Sequence, residues 1–123
     1  MVITIGKKEY EVRFGLGFLR ALNEKYFRGT TNGMKFGIGL ESRLPFLLDE
    51  DPLVLSEFLY EGCGHLKERP KQGEIDSYVE NHENIAELFA EVIDELKKGN
   101  ATSKKTLAMT EALEAEKAKG ADE

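Results

Sequence analysis

Residues 32–70, NGMKFGIGLESRLPFLLDEDPLVLSEFLYEGCGHLKERP, hold two apolar helical patterns joined by a short acidic break. The second is the more regular. Leu55, Phe58, Leu59, Gly62, Cys63 and Leu66 recur at i, i+3, i+4, i+7, i+8 and i+11, which is one face of an α-helix. Asp51 offers an acceptor to the free N–H groups of a first turn, and Pro52 suits the first helical position because it has no N–H to leave unpaired. Arg69-Pro70 closes the segment, since the residue before a proline is biased away from helix. A helix over 52–67 follows. In the first pattern Phe36, Leu40, Leu44 and Leu47 or Leu48 form an i, i+4, i+8 stripe, weakened at its start by Gly37 and Gly39. Pro45 lacks the N–H that would bond to residue 41, so a kink or a fresh helix start is expected there. The two glycines mark either a close approach by another backbone or an irregular start to the helix.

Working outward, residues 1–14 read as a β-hairpin. Val2–Ile5 are β-prone, Tyr10, Val12 and Phe14 alternate with Glu11 and Arg13, and Gly6-Lys7-Lys8 supplies the turn. An isolated two-stranded hairpin is marginal in water, so this one must pack on helices or pair with another subunit's edge. Gly15 and Gly17 end the strand, and Phe18, Leu19, Leu22 and Tyr26 start a helix over 16–28. Gly15-Leu16-Gly17 is a strand-to-helix turn and not a dinucleotide loop, which needs a third glycine, a βαβ setting and a downstream acid. Residues 29–33 form a turn-rich connection. After Pro70 a short helix is expected over 73–80, with Ile75, Tyr78 and Val79 inward. A longer helix follows over 84–98, where Ile85, Leu88, Phe89, Val92, Ile93 and Leu96 repeat the same spacing without a gap. Lys97 and Lys98 favour its negative end and Gly99-Asn100 stops it. From Ala101 onward Leu107, Met109 and Leu113 are the only sizeable apolar residues, so 101–123 reads as a flexible or partner-folded tail.

The fold class is therefore mainly α, with an N-terminal β-hairpin packed on about five helices in one domain over 1–100. Its core is drawn from Leu55, Phe58, Leu59, Leu66, Leu88, Phe89, Val92 and Leu96. A chain of 123 residues has room for one modest core and not for two. No apolar run approaches the ~20 residues that span a bilayer, and the N-terminus lacks the pattern of a secretory signal. One cysteine excludes an internal disulfide framework and points to a reducing cytoplasm.

Net charge is −6 and unevenly placed. Residues 1–48 carry eight basic and four acidic side chains, a balance of +4, whereas residues 49–96 carry three and fourteen, a balance of −11. Such a chain either attracts basic partners or its own copies head to tail, or else folds its two signs next to one another.

Side chains for chemistry are few. Cys63 and His65 sit two apart and point to different helix faces, and with only His82 besides, zinc lacks ligands. Cys63 falls on the apolar stripe, as a small buried side chain does. Asp49, Glu50 and Asp51 suit a capping turn before Pro52 better than a metal cluster. The lysines and arginines make no basic groove interleaved with aromatics. No catalytic, metal or cofactor site is expected, and no nucleic-acid or membrane partner. The composition is that of a small acidic helical interaction protein.

Four blocks, KKEYEVRFGLGFLRALNEKY (7–26), NGMKFGIGLESRLPFLL (32–48), LYEGCGHLKERP (59–70) and IAELFAEVIDELKKGNATSKK (85–105), resemble in order and spacing the tail assembly chaperones of long-tailed phages and related prophages. The resemblance spans about residues 1–105 and carries no catalytic signature. It implies a non-enzymatic cytoplasmic factor, missing from the finished virion, that binds the tape-measure protein and through it recruits tail-tube protein. Exposed apolar residues around Met34, Phe36 and Ile38 are the candidates for that contact. Self-association into a ring or open spiral is expected from the unpaired hairpin edge and the charge polarity. The resemblance further implies a longer product made by a backward ribosomal slip, for which Leu96-Lys97-Lys98 and Ser103-Lys104-Lys105 are the two candidate places. A virion structural piece such as a head–tail connector or completion protein, and an acidic mimic of DNA, are the readings from other classes.

Overall fold

The computed structural model describes residues 1–121. Asp51 caps as expected: its carboxylate accepts the Leu53 N–H at 2.9 Å, and Pro52 opens a helix, Pro52–Gly62. That helix ends five residues before the expected boundary of 67. The Gly62 carbonyl, which Leu66 would need as its i−4 acceptor, takes the Arg13 N–H at 2.8 Å, so Leu66 bonds to Cys63 instead. A Cβ on Gly62 would lie 2.5 Å from Val12 Cγ1, so the glycine is what lets the N-terminal strand segment meet this helix. Leu66 is consequently only partly buried, whereas Leu55, Phe58, Leu59, Leu88, Phe89, Val92 and Leu96 are buried.

In chain order the elements are β1 (Val2–Ile5), β2 (Lys8–Glu11), α1 (Leu16–Lys25), β3 (Phe27–Gly29), β4 (Lys35–Gly37), α2 (Gly39–Leu48), α3 (Pro52–Gly62), α4 (Gln72–Glu80), α5 (Ile85–Lys98) and α6 (Ser103–Ala121). The protein is mainly α, with the N-terminal hairpin that the sequence predicts and six helices among the described residues. β1 and β2 pair antiparallel, Ile3 opposite Tyr10, around a turn with Gly6 at φ 64. Ile3, Val12 and Phe14 enter the core. Phe14, Phe18 and Phe58 stack edge to face with centroids 5.0 and 5.1 Å apart, tying the hairpin, α1 and α3 together.

The second hairpin is not foreseen. Helix α1 stops at Lys25 rather than at 28, and the β-prone Tyr26-Phe27 enters β3. The turn between β3 and β4 is held by Thr30, whose N–H donates to the Met34 carbonyl at 2.9 Å, with Gly33 at φ 78. Phe36 therefore lies on a strand and not at the head of a helical stripe. The glycines around it serve close approach. A Cβ on Gly39 would meet Leu22 Cβ, with the Leu22 carbonyl carbon 2.7 Å away, and the Gly39 N–H donates to Asn23 Oδ1 at 2.9 Å. Helix α2 runs through Pro45 without a fresh start, and Leu40, Leu44 and Leu47 are buried beneath it.

Residues 101–123, expected as a flexible or partner-folded tail, contain α6 up to Ala121, and residues 122 and 123 of that stretch lie outside the described residues. The first turns of α6 pack on α2 and α5 through polar side chains. Thr102 Oγ1 donates to the Leu96 carbonyl at 2.6 Å and Thr106 Oγ1 to the Thr102 carbonyl at 2.7 Å. Both threonines are buried, Met109 packs partly on the core, and Lys105 pairs with Glu41. A count of large apolar residues misses such a contact, because a hydroxyl bonded to a backbone carbonyl lets the small side chain be buried without an unpaired polar atom.

Candidate functional site

The second hairpin stands out because three large apolar side chains on it, Phe27, Met34 and Phe36, are poorly covered. Its register pairs Phe27 with Gly37, Arg28 with Phe36 and Gly29 with Lys35. Alternation along a strand puts Phe27 and Lys35 on one face and Arg28 and Phe36 on the other. The Lys35 ammonium lies 4.7 Å from the Phe27 ring centroid, consistent with their shared face. Phe27 is 46% exposed, Met34 55% and Phe36 51%, while Ile38 is half-buried where the chain enters α2. Of the three expected contact residues, Met34 and Phe36 are thus open to solvent and Ile38 is partly covered. Phe27, on the opposite face, is an addition that a helical reading of 16–28 conceals.

The base of the hairpin is fixed by charge. Glu57 on α3 accepts from the Tyr26 hydroxyl at 2.5 Å and from Arg43 Nε at 3.2 Å, and Lys25 Nζ lies 3.7 Å from it and 3.1 Å from Glu61. The Arg43 guanidinium also sits 4.9 Å from the Tyr26 ring and 5.4 Å from the exposed Phe46 ring. Burial, then the bond to the Glu57 carboxylate, raises the Tyr26 hydroxyl above its ordinary range, so it stays a donor at neutral pH. Lys25 and Arg43 come from the basic half of the chain, Glu57 and Glu61 from the acidic half. Part of the charge polarity is therefore folded against itself.

What is left over keeps its polarity. Arg20, Arg28 and Lys35 are exposed around the hairpin and make no ion pair among the described residues. Arg20, Asn23, Glu24, Phe27, Lys35 and Gly37 line an open groove of about 430 Å³ between the hairpin and α1. Among the described residues no group of three or more His, Cys, Asp or Glu could hold a metal, and no helix is long and apolar enough to cross a membrane. Cys63 is fully buried, and burial raises its thiol above the ordinary range. A thiol reagent is accordingly expected to label it only as denaturant opens the fold, following the loss of helical circular dichroism. Rapid labelling of the native protein would contradict this.

A family model described as phage tail assembly chaperone protein, TAC, matches residues 2–111. The chain belongs to that family. Nothing matches among curated proteins or solved structures. The match covers both hairpins, α1 to α5 and the part of α6 that is seated on the body, ending two residues after Met109. A role for this chaperone in phage tail assembly follows from the family.

Proposed function

We propose that this chaperone binds apolar helical segments of the tape-measure protein through the Met34 and Phe36 face of the second hairpin, and helps recruit tail-tube protein to them. The observation that supports this most is the half-exposure of those two large apolar side chains on a ribbon pinned to the body by Glu57. A tape measure is a long chain whose apolar stretches need cover until the tube encloses them. Covering them calls for contact area and an affinity low enough for displacement, and for no cofactor or catalysis. In this reading the chaperone works in the host cytoplasm, copies associate in a ring or open spiral around the tape measure, and none remains in the virion.

Co-expression with the neighbouring tape-measure protein tests the contact. Met34→Asp with Phe36→Asp is expected to reduce co-purification by about tenfold or more, equivalent to about 1.4 kcal/mol. The thermal midpoint should barely move, because both side chains are exposed and such positions usually change stability by less than about 0.5 kcal/mol. Undiminished co-purification would remove the hairpin from the contact. Mass spectrometry of purified particles tests the chaperone's expected absence from them.

We also infer a longer product from a slip at Ser103-Lys104-Lys105. Those residues open α6, so a change of frame there leaves α5 whole and replaces Thr106 and Met109, which rest on the body. Codons at both lysine pairs that cannot re-pair one nucleotide back, or no open overlapping frame, would end this inference.

A further inference from the structure

We infer that the groove between the second hairpin and α1 receives the acidic edge of α5 from a second copy of this chain. The proposal rests on the reading that copies associate, and names the two surfaces that meet. The groove has an aromatic wall, Phe27, and two cations, Arg20 and Lys35. Asn23, also on its lining, is already committed to the Gly39 N–H. Glu24 is the groove's one acid, so two cations face one carboxylate and the groove keeps a positive excess. Of the other cations nearby, Lys25 and Arg43 are held by Glu57 and Glu61, and Arg28 lies on the opposite face of the ribbon with Phe36.

The matching surface is on the same molecule. Glu87, Glu91 and Asp94 fall at i, i+4 and i+7 on α5, are all exposed, and make no ion pair among the described residues. Glu80 and Glu83 add exposed carboxylates just before the helix, and Ile85 at its start is 38% exposed. Like charges on so short an edge repel one another, and a cationic groove relieves that repulsion when it docks. The two surfaces are different patches, so the contact is head to tail and repeats from copy to copy. It uses the Phe27 and Lys35 face of the ribbon and leaves the Met34 and Phe36 face free for another partner.

Sedimentation velocity of the full chain tests this by exchanging the charges. The wild type is expected to associate at ~0.05 M salt and to approach monomer at ~0.5 M, because screening shortens the reach of exposed charges. Arg20→Glu with Lys35→Glu, and separately Glu91→Lys with Asp94→Lys, should each weaken association by about tenfold or more. An equimolar mixture of the two variants should associate again, since each variant's altered patch now matches one on the other. Circular dichroism checks that all are folded. A wild type that stays monomeric at low salt overturns the proposal together with the reading that copies associate. Association that both exchanges leave unchanged, or variants that do not recover on mixing, overturns the proposal alone. If the groove variant keeps its association but loses co-purified tape measure, the groove belongs to the tape measure and the proposal also fails.

Discussion

Replacing Phe58 with alanine is expected to lower the unfolding free energy by about 3–5 kcal/mol. The ring is 0% exposed and lies at the end of the edge-to-face series from Phe14 through Phe18, so its removal leaves a cavity and an unmatched Phe18 edge. The loss falls where β2's continuation, α1 and α3 converge. Phe89→Ala, also in the core, belongs to the same range. Chemical denaturation followed by circular dichroism measures both. A loss below about 1 kcal/mol would mean that the ring is not packed as described.

The second large effect is at Gly39. An alanine there places its Cβ against Leu22, whose carbonyl carbon is 2.7 Å away and cannot swing aside as the end of a long side chain can. Either α1 and α2 move apart or the Gly39 N–H loses Asn23. A destabilisation of about 1–3 kcal/mol is expected, as for other overpacked sites. Gly17→Ala is the control of opposite sign. Its Cβ would have nothing within 4 Å, the position lies in α1, and alanine is the better helix former there. A gain of about 0.5–1 kcal/mol is expected. If the two substitutions behave alike, close packing at Gly39 is not what distinguishes them.

Gly39 and its neighbour Gly37 show where local reading stops. Gly37 and Gly39 interrupt an otherwise helical stripe, and interruption alone does not say whether a strand, a bend or a neighbouring backbone is the cause. Here it is both strand and neighbour: β4 ends at Gly37, and Gly39 rests on Leu22, seventeen residues earlier in the chain. Met34 and Phe36 are exposed, and the position of Phe36 depends on a strand pairing with Arg28 that a helix through 28 forbids.

The sequence by itself determined the start of α3 at its Asp51 cap, the end of α5 at Gly99 and most of the buried faces of both helices. α5 begins at Ile85 after Asn84, whose side chain accepts the Glu87 N–H, and ends at Lys98 before Gly99. α3 begins as Asp51 and Pro52 require. Capping bonds and the 3.6-residue period act within a few residues, so they can be read along the chain. Tertiary structure decided the rest. It ended α3 at Gly62 by giving that carbonyl to Arg13, tied the start of α6 to α5 through the Thr102 hydroxyl on the Leu96 carbonyl, and paired Lys25 and Arg43 with Glu57 and Glu61. Each of these contacts joins separate elements, and whether a carbonyl, hydroxyl or charge is satisfied depends on what the fold brings beside it.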